Sequence, residues 1–345
     1  MDDRSGSGCA DVGGAAVVEL RYEVSLDPYE WSRRHRLGLV PGLLPYGFDR
    51  LADCGFQVRP RVPPAALTGL AGRIEHRLGR NWRHARRGSR ADVVVCPEER
   101  IGVPSALVGG APVFTNVVWA TEAPTRLEVQ GLRRAAGVWV WSSGQLPRLA
   151  ELGVHRPVWV PMAVDLDFFA PTDYQPSPLV VSVGNDRHRD WDTLLRAYRR
   201  LGDAGAGLRL LTRVRVPVGN EPGVELIGQV GHRELTDHYR QAAVVAIALR
   251  PNLHASGVTT ALEAMASSRP VVVSDTPGFR DYVQHEVNGL LVPVGDADAM
   301  AAAIRQLLAD PERSAAMGAA GRTLVEDRFS LTEQARVMSA ALHQL

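Results

Sequence analysis

Residues 179–201 read LVVSVGNDRHRDWDTLLRAYRRL, and the two halves of this stretch follow different periods. Residues 179–183 are apolar and mostly β-branched, the pattern of a strand buried on both faces. From there the apolar positions fall at Trp191, Leu194, Leu195, Tyr198 and Leu201, the spacing of a helix with one buried side. Gly184 permits the tight turn between them, and Asp190 or Asp192 can cap the helix. A strand that turns straight into a helix opens a βαβ unit. The rhythm recurs downstream, with strands at 208–211, 224–227, 244–249 and 271–274 and helices at 299–308, 311–327 and 331–345. Upstream it gives strands at 17–20, 56–58, 93–96, 113–119, 138–142 and 158–160, with helices at 126–136 and 145–152. The segment FFAPTDYQPSP at 168–178 breaks both patterns with its prolines and reads as a linker. The expected architecture is α/β, two Rossmann-like doubly wound domains facing each other across a cleft. The boundaries fall at 1–168 and 169–330, with a final helix, 331–345, expected to pack back on the first domain.

The chain has 345 residues, 39 of them basic and 38 acidic, which suits two domains and excludes nucleic-acid binding by bulk positive charge. It contains no lysine, so any phosphate that needs a side-chain cation must use guanidinium. Cys9, Cys54 and Cys96 lie far apart, without zinc or disulfide-framework spacing. No apolar run reaches the length of a membrane span, and the first residues lack a secretory pattern. A cytoplasmic location is expected.

Two stretches carry candidate chemistry. In SVGNDRHRDWD, Arg187 and Arg189 follow Gly184 and Asn185 at a strand end, beside a helix start. They read as a diphosphate clamp or, equally from spacing, as solvated loop residues. In RPNLHASGVTTALEAMASSRPVVVSDT, at 250–276, Ser256 reads as an N-cap, and the amides of Gly257, Val258 and Thr259 would face an anion. Glu263 can accept hydrogen bonds from a vicinal diol such as a ribose; otherwise it is a solvated helix residue.

Together with PVVVSDTPGFRDYV, NGLLVPVGD and VPMAVDLDFFAP, these stretches resemble the donor half of retaining family-4 glycosyltransferases of the GT-B fold, over roughly residues 158–330. The resemblance implies a nucleotide-sugar donor as co-substrate, no cofactor, and no metal. By position it places Arg189 on the phosphate-binding lysine of the family, with Arg187 substituting for the neighbouring arginine, and these two stand as the catalytic pair. It places Glu263 on the second glutamate of an E-x7-E motif that binds the ribose, and Ala255 on the first, with His254 and Ser256 beside it. Gly184, Asn185, His254, Ser256, Gly257, Val258, Thr259 and Glu263 are the expected donor site.

The first domain should then bind the acceptor. Trp31, His35 and Tyr46, near Arg34 and Gly47, and Trp119 further along, are candidates for an acceptor pocket, since aromatic faces suit sugar rings; a helix burying Trp31 and Leu37 is the alternative. No base announces itself near 116–121, which fits a front-face mechanism in which the leaving phosphate takes the acceptor's proton. RIEHRLGRNWRHARRGSR, at 73–90, reads as a solvated basic face or a surface for anionic acceptors or lipid headgroups, with peripheral membrane contact. The function expected is a retaining, metal-independent transfer from a UDP- or GDP-sugar to a small molecule or a cell-envelope precursor, natural-product tailoring included. Its rivals are a non-catalytic nucleotide-sugar-binding partner of another transferase and an inverting GT-B enzyme or sugar epimerase.

Overall fold

The computed structural model describes residues 15–345 apart from 24, 66, 68, 71–79, 175–177, 203–204 and 220. Cys9 and most of the basic stretch at 73–90 fall outside the described residues.

Strands β1 (Val17–Arg21), β2 (Gln57–Arg61), β3 (Val93–Cys96), β4 (Val113–Asn116), β5 (Gly137–Val140) and β6 (Val158–Trp159) form one sheet in the order β2-β1-β3-β4-β5-β6. Strands β7 (Leu179–Val183), β8 (Gly207–Leu211), β9 (Val224–Leu226), β10 (Val244–Ile247), β11 (Val271–Ser274) and β12 (Leu290–Val292) form the second, in the order β12-β11-β10-β7-β8-β9. Neighbouring strands pair in parallel throughout. The central strands VVVC, VVAI and VVVS are buried at every residue, because helices cover both faces of each sheet. The order of the second sheet reverses at β7 and β10. A ligand of such a sheet sits outside the carboxyl ends of these two strands.

Three elements depart from the expected pattern. Strand β4 stops at Asn116 rather than 119, because the buried carboxylate of Glu99 takes the amides of Val118, Trp119 and Ala120 at 2.7–3.1 Å and bends the chain out of the sheet. Strand β12 was not among the expected strands. The 168–178 segment is anchored at its start, with Phe169 buried in the second domain's core. Arg322 holds the same crossover, donating to the carbonyls of Leu166, Phe169 and Ala266.

The chain crosses between the domains twice, and the two crossings touch through a bridge between Val164 and Ser330. The helix Leu331–Leu342 then lies in the first domain's core, where Ala335, Met338 and Leu342 join Val18, Leu20 and Phe114. Among the described residues, no helix is long and apolar enough to cross a membrane.

Candidate functional site

The switch point of the second sheet holds Arg189. Its backbone makes an antiparallel bridge with Leu249, tying the loop after β7 to the loop after β10. The side chain is 3% exposed, and Nη2 donates to Ser182 Oγ at 3.0 Å. Nε and Nη1 have no partner among the described residues. Burial pulls this guanidinium down to about 10, against the opposing pull of Tyr239 and Asp186, so it is a full cation at neutral pH. Two glycines make room for it. A β-carbon on Gly184 would lie 2.8 Å from Nε, and one on Gly257 would lie 2.6 Å from Nη1. A buried cation with two unused donors, framed by bare backbone, is suited to an anion.

The helix Val258–Ala266 starts beside it. Ser256 is not the cap: that position belongs to Gly257, at φ 84°, and the Ser256 amide donates to Asn252 Oδ1. Gly257 is required there by its left-handed backbone and by the nearness of Arg189. The Val258 side chain is core, and its amide already donates to the Ala255 carbonyl at 3.0 Å, so one of the three expected anion-facing amides is taken. Ala255 is buried at φ 54°, and a β-carbon on Gly278 would lie 2.7 Å from its methyl. A glutamate at 255 would meet the turn Pro277–Asp281 rather than open space.

One turn further on, Glu263 is 7% exposed and lines a cavity of about 290 Å³. Burial raises its carboxyl to about 7, opposed by a 2.7 Å hydrogen bond from the Tyr239 hydroxyl to Oε2. Thr259 is exposed into the same cavity, and the first domain closes it with Trp31 and Tyr46. Trp31 and Tyr46, expected around an acceptor, therefore line the same cavity as Glu263. Trp31 is not core either: its Nε1 donates to the carbonyls of Pro41 and Gly42, while Leu37 is 62% exposed. His35 lies in an adjoining charged hollow, with Asp49 and Arg233.

Other expected residues are committed elsewhere. Asn185 Oδ1 accepts from the Arg213 amide at 2.7 Å and fixes the loop after β8. Arg187 reaches across the cleft to Glu122 Oε2 at 2.9 Å and lies over the Trp119 ring, so it braces the two domains rather than clamping a phosphate beside Arg189. His254 sits in the same brace, against Trp119, Glu122 and Asp186. Sequence reasoning missed Glu99, Glu122, Asp186 and Tyr239. Only Asp186 carried a local signal, the Asx turn it makes with the His188 amide.

A family model described as "Glycosyl transferases group 1" matches residues 177–310. The second domain is a group 1 glycosyltransferase domain. A D-inositol 3-phosphate glycosyltransferase of Kineococcus radiotolerans is 42% identical to this chain over 107 residues, 29% of this chain and 24% of that protein. The chain spans between a quarter and about half of the length of the curated relatives it matches. Two solved structures extend the likeness in fold to the whole chain. Sucrose-phosphate synthase from Thermosynechococcus elongatus gives a TM-score of 0.72 at 19% identity, over 95% of this chain and 98% of that one. Anabaena HepE, in complex with UDP-glucose, gives 0.69 at 14% identity, over 96% and 100%. The group 1 domain, with the sheet that faces it, thus has the GT-B fold.

Proposed function

We propose that this protein is a retaining glycosyltransferase of the cytoplasm, moving a sugar from a UDP- or GDP-sugar to a hydroxyl of a small-molecule or cell-envelope-precursor acceptor. The observation that carries this reading is Arg189, a buried guanidinium with two free donors at the switch point of a group 1 domain. The diphosphate lies against Arg189 and the backbone at Gly257. The ribose diol reaches Glu263 Oε1, since Oε2 is engaged by Tyr239. The complex of HepE with UDP-glucose supports a uridine donor in this fold, and the name of the Kineococcus relative supports a cyclitol phosphate among the acceptors to try.

In the transfer, the acceptor oxygen bonds to the anomeric carbon as the bond from that carbon to the phosphate oxygen breaks. The acceptor proton passes to the departing β-phosphate. No side-chain base is needed; the protein's part is a fixed positive field where negative charge develops. A guanidinium that keeps its charge in a water-poor site supplies that field without a divalent ion at the phosphates.

A thermal-shift panel of UDP, GDP, ADP, dTDP and their sugars tests the donor. A diphosphate at 100 times its Kd stabilises the protein by about 2.7 kcal/mol. One nucleotide should do so, and Arg189→Gln and Glu263→Gln should each weaken it. Transfer to an acceptor panel that includes inositol phosphates, with the product anomer read by NMR, separates retention from inversion. Binding without transfer or donor hydrolysis would make the protein a nucleotide-sugar-binding partner. No response to any nucleotide would end the proposal.

A further inference from the structure

Beside Arg189, the cleft is bridged by two imidazoles and two carboxylates arranged as a ring. Glu122 comes from the first domain, from the loop after β4. Asp186, His188 and His254 come from the second, from the loops after β7 and β10. Glu122 offers one oxygen to each imidazole: Oε1 lies 3.2 Å from His254 Nδ1, and Oε2 lies 3.3 Å from His188 Nε2. Asp186 does the same on the far side, with Oδ2 3.4 Å from His254 Nε2 and Oδ1 3.3 Å from His188 Nδ1. The rings of His188 and His254 are 5.0 Å apart, and Trp119 covers both, at 6.2 and 4.7 Å.

The ring is short of hydrogens. Four imidazole nitrogens lie within 3.4 Å of four carboxylate oxygens, but only those of His254 make hydrogen bonds, His188 Nδ1 having no partner among the described residues, and two neutral imidazoles carry one N–H each. If both N–H groups turn to Asp186, the two nitrogens beside Glu122 present lone pairs to its oxygens, a repulsive arrangement that a cation resolves. The spacing suits a metal ion. Ligand atoms bound tetrahedrally at zinc distances are about 3.3 Å apart, close to the 3.2 Å between Glu122 Oε1 and His254 Nδ1. One donor atom from each of Glu122, His188 and His254 can be chosen so that all three lie within 4.8 Å of one another. A carboxylate behind the far nitrogens of metal-bound imidazoles is the usual second shell, orienting the rings and fixing their tautomers. Asp186 is placed for that role. The neighbouring cation, Arg187, is held by Glu122 Oε2, which leaves Oε1 and the two imidazoles as the freer donors. His254 is buried, while Glu122 is 24% exposed, which gives an ion a way in.

We propose that Glu122, His188 and His254 bind one divalent ion of the zinc type, with Asp186 behind the imidazoles, and that this ion ties the two domains together at the cleft. It adjoins the loops that carry Arg189 and Gly257 but is given no part in the transfer step, so the inference stands independently of the transferase reading. Imidazole-rich sites with one carboxylate select zinc-like ions over magnesium or calcium.

The test uses the full chain, stripped with chelator and titrated with Zn2+ and then Co2+. One equivalent of Zn2+ should bind, with a rise in melting temperature. Co2+ should give the visible absorption of a low-coordinate site with imidazole ligands and quench tryptophan fluorescence. Glu122→Gln and His188→Ala should each weaken binding at least 30-fold. If either variant fails to fold, Trp119→Phe serves instead: it keeps the ligands and should remove most of the quenching while the Co2+ spectrum persists. No stoichiometric binding would overturn the site and leave the ring held by protons. Binding that survives both ligand substitutions unchanged would also overturn it, placing the ion elsewhere.

Discussion

At the residue scale, two side chains and one glycine decide what this cleft can hold. Glu263 is buried, and the loss of solvent raises its carboxyl from 4.5 to about 7 despite the hydrogen bond from Tyr239. The folded state therefore holds this proton more tightly than the unfolded chain. The stability that comes from it is fully present below about pH 4.5 and is lost as pH rises through about 7. The unfolding free energy of wild type, less that of Glu263→Gln, should fall across that window by up to about 3 kcal/mol and flatten above it, as measured by urea denaturation. Binding runs the other way, because a carboxylate accepts from both ribose hydroxyls and a carboxylic acid accepts less well. Nucleotide affinity should rise several-fold from pH 6 to pH 8 in wild type and stay flat in Glu263→Gln, by calorimetric titration. Gly257→Ala should cost about 1–3 kcal/mol, since position 257 has φ 84°. It should also weaken nucleotide binding at least tenfold, because its methyl would enter the space beside Arg189 Nη1.

At the element scale, the loop after β4 shows how one distant residue places several others. Glu99 opens the helix Glu99–Val108, is 2% exposed, and accepts from three consecutive amides. Gln145 holds the other side of the loop, donating to the Val118 carbonyl and to Thr121 Oγ1. These contacts set the position of Trp119 and Glu122, and through them the brace against Arg187 and His254. Glu99→Ala leaves three amides without an acceptor and should cost about 2–4 kcal/mol in denaturant unfolding. Transfer should slow in this variant even though Glu99 touches no substrate. None of this was legible in the sequence. Residues 113–119 read as one apolar, β-branched strand, and period alone gives no reason for it to stop at 116. The turns after β7 and β10 were legible, because a glycine, a polar run and a helical period follow one another within a few residues. Where their arginines go was not: Arg187 and Arg189 are two residues apart, yet one reaches Glu122 across the cleft and the other is buried at the switch point.

At the scale of the whole molecule, the last helix decides how the domains are coupled. Leu331–Leu342 belongs to the second half by sequence and to the first domain by packing, with Met338 fully buried beside the first sheet. Met338→Ala should cost about 2–5 kcal/mol. Because this helix is a wall of the first domain's core, limited proteolysis of the variant should cut within residues 15–160 before it cuts the second domain. Across the cleft, Asp281 accepts from the Ser143 amide and hydroxyl at 2.7 and 2.6 Å, a second brace beside that of Glu122. The two parallel sheets and the strand-to-helix turns were readable residue by residue, because periodicity and turn chemistry are local and repeat along the chain. The assembled fold alone settles that Arg187 turns away to Glu122, that Gly257 rather than Ser256 caps the helix, and that Trp31 and Tyr46 share a cavity with Glu263. Those outcomes depend on which loops meet across a cleft, and no spacing within a single segment records that meeting.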